Sequence, residues 1–156
     1  MKYSEIYKEW RDNPIEFWKK NAKDVSWIKF PEKILKKKSD YFYEWFSDGV
    51  MNTCYNAVDK NILEGRGDQV AIYYDSPITN SKSKLTYNEL KSKVEEFAGA
   101  LNKYNISKGD RVIVYMPMIP EAIIAVLAIA RIGAVHSVVF GGFAAKELAV
   151  RIDDCS

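Results

Sequence analysis

The chain has 156 residues, 47% of them hydrophobic, 13% aromatic and 28% charged, with 23 basic side chains against 21 acidic ones. This content excludes a disordered chain, and five prolines among eight glycines exclude a fibrous repeat. A net charge of +2 gives no reason to expect a nucleic acid or an acidic partner.

The composition is uneven along the chain. All four tryptophans (Trp10, Trp18, Trp27 and Trp45) lie in the first 45 residues. Residues 1–50 hold 11 Lys/Arg and 9 Asp/Glu, whereas 51–110 and 111–156 are each balanced. The excess charge therefore sits in a Trp-rich leader, followed by a more apolar segment. The start, MKYSEIYKEW, has neither the apolar stretch nor the small-residue cleavage site of a secretory signal, and Glu5 and Glu9 count against a mitochondrial presequence. Cys54 and Cys155 are too far apart to suggest a disulfide framework or a metal site. The longest apolar run, Ala122–Ala130, extended to Ile132, makes a helix of about 18 Å against a bilayer core of about 30 Å. These features predict a cytoplasmic protein, with mitochondria as the alternative, and no membrane partner.

In the leader, Ser4 is positioned to cap a short helix carrying Ile6, Tyr7 and Trp10. Asn13-Pro14 breaks it and opens a second helical turn, with Pro14 at the first helical position. Val25–Phe30 alternates like an extended segment, and the lysine-rich run 33–38 reads as a solvated face, with a phosphate or membrane contact as the lesser reading. Tyr41–Phe46 is an aromatic cluster closed by the turn signal Asp48-Gly49. Tryptophans in elements this short are expected to need a larger body to pack on.

The second part reads as α/β. Val70–Tyr74 is a strand, and a polar turn leads to a short strand around Leu85, a plausible hairpin. Thr86 and Glu89 form a capping box opening a helix whose stripe is Leu90, Val94, Phe97, Leu101 and Tyr104. Arg111–Met116 is a strand, Pro120 opens a helix apolar nearly all round, and Gly133 stops it. Such a helix is expected to be buried. Ala134–Phe140 follows as another strand, completing a βαβ unit with parallel strands. A last amphipathic helix starts at Ala144, carries Leu148, Val150 and Ile152, and ends on Asp153 and Asp154. Acidic residues suit a helix C-terminus poorly, and two or three parallel strands need neighbours, so the expectation is a sheet cut short inside a larger domain.

Candidate sites are few. Glycines between a strand and a helix N-terminus can cradle an anion, and Phe140-Gly141-Gly142-Phe143 has that placement. It lacks the spacing of the dinucleotide and P-loop fingerprints, so a tight turn is the simpler reading. His136, the only histidine, reads as a core residue of an apolar strand. Arg66-Gly67-Asp68 reads as a turn before a strand. No nucleophile elbow, metal-ligand cluster or carboxylate pair is found.

The block YMPMIPEAIIAVLAIARIGAVHSVVFGGFAAKELAVRIDD (115–154) resembles the AMP-forming acetyl-CoA synthetases and their propionyl-CoA synthetase relatives. YKEWRDNPIEFW (7–18) and WFSDGVMNTCYNAVDK (45–60) look like that family's N-terminal signature. GRGDQVAIYY (65–74), LTYNEL (85–90) and KGDRV (108–112) look like the opening of its adenylate-forming domain. The resemblance implies an α/β fold in which residues 1–62 are the family's N-terminal extension and 63–156 begin a truncated AMP-binding domain. It implies acetate–CoA ligation through an acyl adenylate, with propionate as the alternative acid. ATP, coenzyme A and Mg2+ would serve the full-length enzyme, with small-molecule substrates and the rest of the same polypeptide as partners. None of these is expected to bind tightly to the 156 residues alone, which are expected to be inactive and to hold no catalytic residue. By the same resemblance Gly142 matches a glycine lying close to coenzyme A, while Arg151 receives no role. Val50 stands where the family has a second glycine, so the turn there is expected to differ locally. Two readings of other classes are a stand-alone CoA- or nucleotide-binding module and an interaction domain whose leader docks a partner.

Overall fold

The computed structural model describes residues 2–142 and 144–155. The chain divides into two compact units, Met1–Met51 and Asn52–Ser156.

The first unit is made of short elements held by local caps. Helix α1 (Tyr3–Asp12) starts before the expected cap, so Ser4 lies inside it. Glu5 reaches back to the Lys2 N–H at 2.9 Å, and that acidic side chain sets the first turn. Helix α2 (Pro14–Asn21) begins as the sequence predicts, with Pro14 first and the Asn13 Oδ1 accepting from the Glu16 N–H at 3.3 Å. A single 3-10 turn, Ala22–Asp24, follows.

Strands β1 (Leu35–Lys37) and β2 (Tyr43–Trp45) pair antiparallel with Lys36 opposite Glu44, so part of the lysine run is strand. The tryptophans meet other rings of the same unit. Trp18 lies edge-on to Trp45 at 5.6 Å between centroids, and Trp27 packs against Phe46 at 5.5 Å and Phe30 at 6.2 Å. A Cβ at Gly49 would stand 2.7 Å from the Trp27 ring, so this glycine provides space. Val50 forms an antiparallel bridge with Lys29 and is not among the residues with positive φ. The backbone at Val50 thus avoids the left-handed region, as a β-branched residue requires.

The second unit opens on a helical stretch that the sequence reading did not assign, with wide π-type turns at Tyr55–Asp59 and Ile62–Arg66 and Gly65 at φ 83°. Strands β3 (Val70–Ser76) and β4 (Ser81–Thr86) form the antiparallel hairpin. Helix α3 (Tyr87–Lys103) starts on the complete capping box of Thr86 and Glu89. It buries Leu90, Val94 and Ala98 and ends before Tyr104, which is 80% exposed and does not extend the stripe.

Strand β5 (Arg111–Met116), helix α4 (Pro120–Arg131) and strand β6 (Val135–Phe140) make the βαβ unit, with β5 and β6 parallel and Val114 opposite Val138. Gly133, at φ 77°, makes the turn out of α4, a conformation that glycine adopts without strain. Helix α4 joins two apolar clusters, which explains its lack of a polar face. Ile124 and Ala128 pack with Cys54, Val58, Leu90 and Val94, while Ala125 and Ile129 pack with Val114 and Ala134. Burial is not complete, because Ile123 is 45% exposed. Helix α5 (Ala145–Asp154) half-buries Leu148 but leaves Val150 and Ile152 largely exposed.

His136 is not the core residue that its apolar strand suggests: it is exposed on β6, in register with Val112, and belongs to neither apolar cluster.

Candidate functional site

Parallel strands bring their carboxyl ends to one edge, where the chain leaves each strand and a helix begins. In open α/β sheets ligands bind at that edge. Met116 and Phe140, the last residues of β5 and β6, lie side by side. Beyond them a cavity of about 510 Å³ is lined by Met116, Pro117, Met118, Val138, Val139, Phe140, Gly141 and Gly142.

The two glycines serve close approach. Neither is among the glycines with positive φ, so no left-handed turn requires them. A Cβ at Gly141 would lie 3.1 Å from the Met116 carbonyl oxygen and 3.2 Å from the Pro117 nitrogen, both backbone atoms. Gly141 thus lets the two strand exits cross tightly. A Cβ at Gly142 would lie 2.7 Å from Cε1 of Phe140, a ring at the rim of the cavity that is itself 66% exposed. The tight turn that the sequence predicts is present at Gly141 and Gly142, and lack of space rather than a left-handed backbone is what calls for glycine there.

The electrostatics are plain. No ionisable side chain lines the cavity. The adjacent α5 has Ala144 at its N-cap with no side-chain capping bond, and the Glu147 N–H donates to the Ala144 carbonyl at 3.0 Å. Phe143, the last residue of the Phe-Gly-Gly-Phe turn, lies outside the described residues. Among the described residues no group of three or more His, Cys, Asp or Glu side chains is placed to hold a metal ion. His136, Arg66-Gly67-Asp68, Arg151, Cys54 and Cys155 do not line the cavity. Cys54 is fully buried in the first apolar cluster, and desolvation pushes its thiol pKa up, which makes it a poor nucleophile.

A polar cluster that sequence reading missed lies at the far end of α4. The Asn52 side-chain amide donates to the carbonyls of Ala130 at 3.3 Å and Arg131 at 2.9 Å, while its oxygen accepts from the Tyr55 N–H at 3.0 Å. One side chain therefore caps the end of α4 and the start of the helical stretch after it. Arg131 pairs with Asp59 at 2.7 Å and approaches Glu95 at 3.8 Å, and Lys91 lies 3.8 Å from Asp59. These partners are 72 positions apart in the case of Asp59 and Arg131, and no local pattern could have joined them.

A family model described as AMP-binding enzyme matches residues 59–156, and one described as acetyl-coenzyme A synthetase N-terminus matches residues 3–57. Acyl-CoA synthetase short-chain family member 3, mitochondrial, of Bos taurus is 51% identical over 141 residues, which are 90% of this chain and 21% of that protein. The acetyl-coenzyme A synthetase of Streptomyces coelicolor is 46% identical over 151 residues, 97% of this chain and 23% of that protein. Among solved structures, an acetoacetyl-CoA synthetase from Streptomyces lividans superposes with a TM-score of 0.83 at 27% identity, covering 94% of this chain and 23% of the other. The chain thus spans about a fifth of the length of the curated relatives it matches.

Proposed function

Because the chain belongs to the family of AMP-binding enzymes, we propose that it serves as the N-terminal part of a short-chain acyl-CoA synthetase of the AMP-forming type. In that reaction a carboxylate oxygen attacks the α-phosphorus of ATP and pyrophosphate leaves. The coenzyme A thiolate then attacks the acyl carbonyl, and AMP leaves. Residues 1–62 are read as the N-terminal extension and 63–156 as the opening of the adenylate-forming domain.

The observation that carries the reading within the fold is the cavity at the strand ends, with Gly142 on its rim. We assign Gly142 to the approach of coenzyme A, since a residue without a side chain leaves the backbone open to a ligand. Mg2+ would serve the full-length protein from residues outside this cavity, whose described lining holds no carboxylate.

Propionate is the alternative acid in this reading, taken in place of acetate by the same two steps.

The test is ATP–pyrophosphate exchange with acetate or propionate, run on this chain and on a polypeptide of the relatives' full length that carries it. Exchange is expected only from the longer polypeptide. Activity in the 156 residues alone would overturn the assignment.

A further inference from the structure

The lysine run of the first unit has no task in the reaction assigned above, and it ends on a hydroxyl. Lys36, Lys37 and Lys38 stand directly before Ser39, and no other serine or threonine of the chain follows three consecutive lysines. Strand β1 ends at Lys37 and β2 begins at Tyr43, so Ser39 lies in the connection between two paired strands, where it is exposed. Tyr41, 97% exposed, and Phe42, 59% exposed, belong to the same connection, which is thus open to solvent along its length.

Little holds this connection in one shape. The N–H groups of Lys38 and Ser39 both donate to the Phe42 carbonyl, at 2.8 and 3.2 Å, and the two strands beyond are three residues each. A two-stranded hairpin this short is marginal by itself, so the segment straightens at low cost. Lys37 pairs with Asp40 at 2.9 Å and Lys38 with Glu44, through side chains that are 54% and 47% exposed on the lysine side. Surface pairs of this kind are weak and give way to a stronger anion. Protein kinases choose substrates partly by charge pattern, and three cations ahead of an accessible hydroxyl complement an acidic substrate groove.

We propose that Ser39 is a phosphorylation site for a basic-directed serine kinase, and that its phosphate is held by Lys37 and Lys38. In the transfer the Ser39 Oγ attacks the γ-phosphorus of ATP and its proton passes to the kinase's catalytic carboxylate. The bond from the γ-phosphorus to the bridging oxygen breaks, and ADP leaves. The new group carries about −1.5 to −2 charges near pH 7 and draws both lysines from their carboxylate partners. This modification does not rest on the assigned ligase reaction, so failure of ATP–pyrophosphate exchange leaves it standing.

The experiment incubates this chain, and a polypeptide of the relatives' full length that carries it, with ATP and the catalytic domain of a kinase that requires basic residues before its serine. Expected is one phosphate per chain, located at Ser39 by peptide fragmentation. Transfer to Ser83, which has a single lysine directly before it, should be slower by about tenfold or more. Ser39→Ala should remove the product. Replacing Lys36, Lys37 and Lys38 together by Ala should lower kcat/KM about tenfold or more with circular dichroism unchanged. Phosphorus NMR of the modified chain should place the second phosphate pKa below its ordinary value of about 6, and Lys37→Ala with Lys38→Ala, phosphorylated at higher kinase concentration, should move it back up. Transfer to other serines at the same rate, transfer indifferent to the lysines, or a Ser39 left unmodified in the longer polypeptide would each overturn the proposal. So would a phosphate pKa that the lysine substitutions do not move.

Discussion

Gly141 and Gly142 are adjacent and equally lacking in side chains, but they answer to different neighbours. Adding a methyl at Gly141 drives it against backbone atoms of Met116 and Pro117, which can move only by parting the two strand exits. Gly141→Ala is expected to cost about 1–3 kcal/mol, measured as a lower urea midpoint. At Gly142 the obstacle is the Phe140 ring, which can turn aside into solvent. Gly142→Ala should therefore change stability by no more than about 0.5 kcal/mol. On the role proposed for Gly142, Gly142→Val in a polypeptide of the relatives' full length is expected to raise the KM for coenzyme A about tenfold with ATP–pyrophosphate exchange intact, the pattern of lost binding without lost chemistry. At the same scale three carboxylates respond to pH. The Ser107 N–H holds the pKa of Asp110 below its usual range, the Thr86 N–H does so for Glu89, and the Lys33 N–H for Asp48. A folded pKa below the unfolded one favours the native state above the ordinary carboxylate range. That contribution is lost as pH falls through the folded values. The urea midpoint should thus hold from pH 7 to 5 and drop below about pH 4, and Asp110→Asn should flatten part of the drop.

At the scale of elements, caps and clamps decide where helices start and what they hold. The Thr86 hydroxyl accepts from the Glu89 N–H at 3.2 Å while the Glu89 carboxylate accepts from the Thr86 N–H at 2.7 Å. Thr86→Ala should cost about 1 kcal/mol in thermal unfolding, because one donor in the first turn of α3 loses its partner. The far end of α4 is held by Asn52 and by the Arg131–Asp59 pair, whose side chains are only 22% and 12% exposed. Arg131→Met leaves Asp59 half-buried beside Lys91 alone, and a loss of about 2 kcal/mol is expected. Changing Asp59→Leu in the same chain should restore part of it, so a double-mutant cycle should show non-additivity of at least about 0.5 kcal/mol. This cluster also gives a physical meaning to the motif Asn52–Lys60. Cys54 and Val58 fill the core, Asn52 caps, and Asp59 pairs across to Arg131.

At the scale of the whole molecule, the described residues carry exposed apolar surface along the length of the chain, from Tyr3 to Ile152. Val135, Val138 and Phe140 on β6 and Met118 at the cavity rim form part of it, Met118 being 87% exposed. The isolated chain is expected to bind the dye ANS, and Val135→Lys with Val138→Lys should lower the fluorescence while leaving the urea midpoint nearly unchanged. The elements that were legible in advance were those with local causes. The Thr86–Glu89 box, Pro14 and Pro120 at helix starts, Gly133 at a helix end and the parallel β5–α4–β6 unit all follow from spacing and backbone preference within a few residues. The long block from Tyr115 to Asp154 also carried the family. Legibility failed where the cause was distant. His136 sits on an apolar strand, yet it is exposed, because packing by distant elements and not the strand pattern decides which of its positions are covered. The helical stretch after Asn52 shows no strong period, and its place is settled by partners from Lys91 to Arg131. Sequence by itself determined the elements with strong local signals, from Pro14 to the β5–α4–β6 unit, because capping, φ preference and hydrophobic period act over one or two turns. Tertiary structure alone decided that Gly141 and Gly142 are glycines for want of space, and that Val138 is exposed while its neighbour Val139 is buried. Those are properties of atoms brought together from distant positions, and no local pattern contains them.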